Sequence, residues 1–227
     1  MKFPTGMARL AAGLALTWLF VLGAGMPGAR PAFALAPEYA LCENSIATAE
    51  EAFDIPGQLL MAIALVESGR WNAEQDRIVA WPWTVYAQGQ GRYFASAAEA
   101  IAAVRRLQAE GVGNIDVGCM QINLHHHPHA FASLEGAFTP ERNVHYAASF
   151  LTELFDAKRS WAAAAAFYHS ATPKYAKPYR KKVIDFWNVE RRRVAELKRA
   201  EREEELRRRR QEQERLRAER DAKPAIS

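Results

Sequence analysis

Two cysteines in 227 residues, no internal repeat and no room for a second generous domain narrow the possibilities before any motif is read. So few cysteines exclude a disulfide-dense scaffold, and a chain this long with 49% hydrophobic residues supplies one sizeable core plus appendages. Large apolar residues also become scarce after Glu190, where only Val194, Leu197, Leu206 and Leu216 occur before Ile226. That is too sparse for a coiled-coil seam. Residues 190–227 are therefore expected to form a charged helical or disordered tail, a solvated helix held by opposite charges at helical spacing. The tail carries 14 Lys/Arg against 10 Asp/Glu, an excess equal to the formal charge of +4 on the whole chain. Residues 35–189 hold 13 basic and 16 acidic groups, so the body of the protein is mildly acidic. Basic groups concentrated in a tail where acids are interspersed with them argue against nucleic-acid binding.

The one long hydrophobic run lies at the start. Lys2 and Arg9 precede an apolar stretch from Leu10 to Met26, broken by Pro27, Gly28 and Pro31 before Ala32-Phe33-Ala34. The order of basic, apolar and small residues reads as a signal peptide over 1–34, cut after Ala34, with an uncleaved anchor as the alternative. An exported, periplasmic protein is expected. Leu41 before Cys42 disfavours lipid attachment, and the oxidising compartment leaves Cys42 and Cys119 open either to a disulfide or to life as two core thiols.

Between signal and tail the pattern is mostly helical. Tyr39 to Phe53 predicts one helix, and a second is predicted to open at Pro56 and run to Glu67, with Gly69 as its C-terminal cap. Leu59 to Val66 is apolar on every face, which suits a central buried helix. Trp83–Tyr86 and Arg92–Phe94 flank Ala87–Gly91 as a small β-hairpin. Ser96 with Glu99 forms a capping box for a helix ending near Gly111. Thr139-Pro140 starts another helix to about Ala157, and Ser160 caps the alanine-rich run Trp161–Tyr168. The fold class is mainly α, with a single globular domain.

Glu67 ends the buried helix on the face of Ile63 and Leu60, near the negative pole of the helix dipole. Both surroundings favour the protonated acid, the form that donates a proton to a glycosidic oxygen. A surface pair with Arg70 is the plain alternative. Val66-Glu67-Ser68-Gly69, then Gly118-Cys119-Met120-Gln121-Ile122-Asn123, then Phe167-Tyr168-His169-Ser170 resemble, in order, the motifs of the soluble lytic transglycosylase domain. The likeness spans about residues 40–187.

The resemblance implies an α+β lysozyme-like fold over 35–189 and cleavage of the β-1,4 bond between N-acetylmuramic acid and N-acetylglucosamine in peptidoglycan, with no cofactor and no metal. It implies Glu67 as the catalytic acid, then base, and Ser68, Met120, Gln121, Asn123, Tyr168 and Tyr179 as substrate-binding residues. His169 stands where the family commonly has asparagine, and is included as a replacement for its polar contact. A hydrolytic muramidase on the same fold needs a second acid, for which Asp76 and Asp116 are the candidates, and a non-catalytic glycan-binding scaffold is the rival of another class. Trp81, Trp83, Tyr86, Tyr93 and Phe94 form an aromatic set that more often fills core, from which Trp83 or Tyr93 is the first choice for stacking on sugar. His125–His129 has no completing ligand pattern and is expected to be a loop beside the cleft. The chain is expected to act as a monomer on glycan strands, with its tail free to touch anionic wall polymer, lipid or an envelope protein.

Overall fold

The computed structural model describes residues 38–222, so the signal-peptide expectation lies outside the described residues. Seven helices and two small antiparallel sheets are seen there: α1 (Glu38–Ala52), α2 (Leu59–Ser68), β1 (Gly69–Asn72), β2 (Arg77–Ala80), β3 (Thr84–Ala87), β4 (Gln90–Tyr93), α3 (Ala97–Ala109), β5 (Ile115–Val117), β6 (Ile122–Asn123), α4 (Leu134–Ala137), α5 (Pro140–Lys158), α6 (Trp161–His169) and α7 (Pro173–Asp221). This is the mainly α architecture with a small sheet that the sequence predicts.

Helix α2 is the axis of the molecule. All residues from Leu59 to Leu65 are buried, because α1, α7 and β2 pack around it. Its start differs from expectation. Pro56 lies in a turn, the helix begins at Leu59, and the capping residue Gln58 has a left-handed backbone and no side-chain cap of its own. The free N–H groups are taken instead by the buried carboxylate of Glu50 on α1, which accepts from Gln58 N at 2.7 Å, Leu60 N at 2.8 Å and Met61 N at 3.2 Å. A carboxylate at a helix N-terminus also meets the positive end of the dipole. Glu50 lies in α1, eight residues before its first partner, so no local capping rule points to it.

Gly69 is not a left-handed cap either. Its φ is −61°, and its lack of a side chain matters because a Cβ would overlap the Leu65 carbonyl oxygen and crowd Ile78. The close approach lets β1 turn back from the end of α2 and pair with β2, a hairpin that no glycine or proline turn signal marks in the sequence.

The expected hairpin is present but tighter. Ala87 pairs with Gln90, and the two linking residues, Gln88 and Gly89, both have positive φ, as a two-residue hairpin turn demands. Strand β3 also pairs with β5, and β5 with β6, giving the order β4-β3-β5-β6. Behind this sheet Val85, Val104, Ile115, Val117 and Phe138 form a smaller core, separate from the helical one. Ser96 and Ser160 cap α3 and α6 through their hydroxyls, as expected. Helix α7 crosses position 190 without a break: the body and the charged tail share one helix of 49 residues.

Candidate active site

A cleft of about 450 Å³ lies where the helices meet the four-stranded sheet. Glu67 from α2, Tyr86 from β3, Asp116 from β5, Asn123 from β6, Phe150 from α5, and Tyr168 and His169 from α6 line it. A second hollow of about 260 Å³, lined by Tyr175, Pro178, Tyr179 and Lys182 of α7, adjoins it, and Val66, Glu67 and His169 border both. Glu67 therefore stands at the junction of two parts of one groove.

Helix α2 delivers Glu67 to the half-buried floor of this cleft, and burial pushes its pKa from 4.5 to about 7. The hydroxyl of Tyr179, which donates to Glu67 Oε1 at 2.6 Å, pulls the other way, and the charge of Asp116 adds to the rise. Near neutral pH the group is divided between its acid and base forms. Arg70 does not pair with it; its guanidinium lies 4.3 Å from the centre of the Trp81 ring. Burial, followed by the nearby charge of Glu67, pushes the Tyr168 and Tyr179 hydroxyls well up, so both remain protonated donors.

The middle motif is organised chiefly from within. Gly118 has φ +83° and lies so close to Asn143 that a Cβ would collide with its side chain. Buried Asn143 receives Met120 N at 2.9 Å and donates to the carbonyls of Val117 and Ala137, both at 3.0 Å, which pins the turn. Cys42 and Cys119 are joined by a disulfide that ties this turn to α1.

Two residues placed on the substrate by resemblance lie elsewhere. Met120 and Ser68 are both fully buried. The Ser68 hydroxyl donates to the Cys119 carbonyl at 2.6 Å, joining α2 to the turn, and Tyr168 donates to the Met120 carbonyl at 2.9 Å. In this structure Ser68 and Met120 shape the site and do not face the cleft, because the helix end and the turn must seal against each other to hold Glu67. Tyr179, too, is nearly buried and meets Glu67 before any ligand. The His169 ring stacks on Tyr179 with centres 4.5 Å apart and planes 5° apart, so it braces Tyr179 while bordering the groove.

Gln121 and Asn123 do line the cleft. The Gln121 amide donates to the Thr84 and Gly118 carbonyls at 3.1 and 3.0 Å, held by a left-handed backbone. Asn123 Nδ2 lies 2.6 Å from both Asn114 Oδ1 and Asp116 Oδ1, and its Oδ1 accepts from His125 N and His126 N. That Asx turn folds the histidine loop back, so His126 and His127 border the cleft. His127 Nδ1 is 2.8 Å from the Tyr146 hydroxyl.

Glu67, the Gln121–Asn123 side of the cleft and Tyr168 come from the three motifs in order, and a family model described as Transglycosylase SLT domain matches residues 44–183. The chain belongs to the transglycosylase SLT domain family. Lytic transglycosylase activity on peptidoglycan is the general activity this membership implies. No curated protein and no solved structure matches the chain.

Within this SLT domain, Asp116 is the second acid of the cleft, whereas Asp76 is exposed in the β1–β2 turn and lines neither hollow. Burial raises the Asp116 pKa, opposed by the Asn123 hydrogen bond and by His169, His126 and His127. Of the aromatic set, Tyr86 reaches the cleft, being 44% exposed. Trp83 packs on the sheet core, and the Tyr93 hydroxyl is used on the Gly69 carbonyl at 2.6 Å. Alternation along β3 could have singled out Tyr86, since its neighbours Val85 and Ala87 point to the core. Asn114, Phe150 and Lys182 carried no signal, because only the fold brings their distant elements to Glu67.

Proposed function

We propose that this SLT-domain protein cleaves the bond between N-acetylmuramic acid and N-acetylglucosamine without water, leaving 1,6-anhydro-N-acetylmuramic acid ends. Glu67 donates its proton to the glycosidic oxygen as the bond to the muramic anomeric carbon breaks. The resulting carboxylate then takes the proton of the muramic 6-hydroxyl as that oxygen closes on the anomeric carbon. One proton leaves and one returns, so Glu67 ends protonated and the cycle needs no cofactor. The attacking hydroxyl belongs to the substrate and enjoys a high effective molarity, which removes the need for a carboxylate dedicated to activating water.

The observation that carries this reading is a carboxyl with a pKa of about 7 at the junction of two hollows, hydrogen-bonded by a tyrosine. A group that must act first as acid and then as base works best with a pKa near the working pH. Gln121, Asn123, His169 and Tyr86 are proposed to contact the glycan, with Tyr168 and Tyr179 positioning the site. Because peptidoglycan lies outside the cytoplasmic membrane, the protein is proposed to act there after removal of residues 1–34, as a monomer.

Asp116 in the same cleft favours one second reading, hydrolysis with Asp116 activating water. Mass spectrometry of muropeptides released from purified peptidoglycan, beside a Glu67→Gln control, separates the two. Anhydromuramyl ends absent from the control are expected. Reducing ends would establish the hydrolase, and no products from either protein would leave a glycan-binding role.

A further inference from the structure

Beyond Glu190, α7 leaves the body of the protein, and from Ala195 to Asp221 every residue is exposed. At about 1.5 Å per residue, residues 191–221 form an arm about 46 Å long. Its charges are not scattered around it. Counted at about 100° per residue, one arc of about 120° runs from Arg191 through Lys198, Arg202, Arg209 and Arg217 to Arg220. This arc holds nine of the arm's thirteen basic residues and none of its nine acidic ones. The acids lie outside it, with Glu201, Glu205, Glu212 and Glu219 along one edge and Glu196, Glu203, Glu214 and Asp221 along the other.

Helix-stabilising ion pairs do not account for the stripe. They engage Glu204 with Arg208, Glu205 with Arg209, and Glu219 with Arg215. Among the described residues only Arg209 and Arg220 of the stripe have a carboxylate partner, leaving seven of its nine cations without one. Leu206 and Leu216, each about half exposed, fall inside the same arc, and Ala195 lies there too.

We propose that this stripe lays α7 flat on an anionic phospholipid surface. Phosphates meet the cations, and the two leucines enter the boundary between headgroups and acyl chains. Most of the acidic residues then flank the contact on either side, and Glu204 faces away from the membrane. The leucines choose lipid over a charged glycan, which offers them nothing, and the absence of a seam disfavours a partner helix. Since the same helix presents Tyr179 to Glu67, a membrane-bound arm would fix the distance and tilt of the groove above the bilayer. None of this depends on the proposed reaction.

The test is co-sedimentation of the full chain with phosphatidylcholine vesicles, with and without about one-third phosphatidylglycerol. A variant that exchanges Arg202 with Glu203, Arg210 with Glu212 and Arg217 with Glu219 keeps composition and net charge but breaks the stripe. The N-terminal segment is common to both proteins, so its contribution cancels in the comparison. Binding to anionic vesicles at least about tenfold tighter than to neutral ones is expected, weakening as salt rises. The exchanged variant, matched in far-UV ellipticity, should lose most of that preference, and Leu206→Gln with Leu216→Gln should weaken what persists at high salt. Equal preference in the exchanged variant would overturn the proposal. So would stripe-dependent binding to purified wall material without any vesicle preference, which would assign the arm to the wall polymer.

Discussion

Glu67 is poised at a cost to the fold. Its folded pKa of about 7 exceeds the ordinary glutamate value of 4.5, so the stability it contributes is full below about pH 4.5 and is lost as pH rises through about 7. At pH 8 the loss is about 3 kcal/mol. Glu67→Gln keeps the acceptor for Tyr179 without the charge. It should melt at a higher temperature than the parent at pH 8 and at nearly the same temperature at pH 4, while its turnover falls by about 10²–10⁴-fold. An unchanged melting difference across that range in calorimetry would contradict the burial argument. Tyr179→Phe acts in a different way, removing the hydrogen bond that lowers the Glu67 pKa. The alkaline limb of its kcat/KM profile should move to higher pH, and kcat should fall roughly tenfold. A merely structural role for Tyr179 would lower activity without moving that limb. Glu67, Tyr168 and Gln121 were legible as motif positions, and the acid-then-base part expected of Glu67 is the one still proposed, but the hydrogen bond that Tyr179 makes to it was not legible. Ser68 and Met120 stand in the same motifs and serve packing, since motif spacing says nothing about which side of a turn faces solvent.

At the scale of elements, α2 depends on a carboxylate borrowed from α1. Glu50→Ala leaves Gln58, Leu60 and Met61 N–H groups without their acceptor and should destabilise the protein by about 2–4 kcal/mol in urea unfolding. Glu50→Gln, which retains one oxygen acceptor, should recover part of this. Loss of less than about 0.5 kcal/mol in the alanine variant would mean that water replaces the cap. Helix positions were largely readable because apolar periodicity and Ser caps are local signals. Strands β1, β2, β5 and β6 were not, as runs of two to four residues are stabilised by partners distant in the chain.

For the whole molecule, the disulfide between Cys42 and Cys119 closes a loop across 77 positions. Replacing both with serine should cost about 4 kcal/mol on the chain-entropy account, seen as a lower urea midpoint. Deleting residues 195–227, by contrast, should leave the unfolding midpoint almost unchanged, because the arm is exposed along its length. A large shift on deletion would show that the arm is held against the body.

The sequence by itself determined the fold class, the buried central helix, most helix boundaries and the membership of an SLT domain, because hydrophobic period, capping residues and contiguous motifs are written within a few residues of one another. Tertiary structure alone decided which motif residues face the groove, that Glu50 caps α2, that Asn143 pins the Gly118 turn, and that Asp116 shares the cleft with Glu67. Each of those depends on contacts between elements far apart in the chain. Their geometry is set by how the helical core closes against the sheet, which no local pattern encodes.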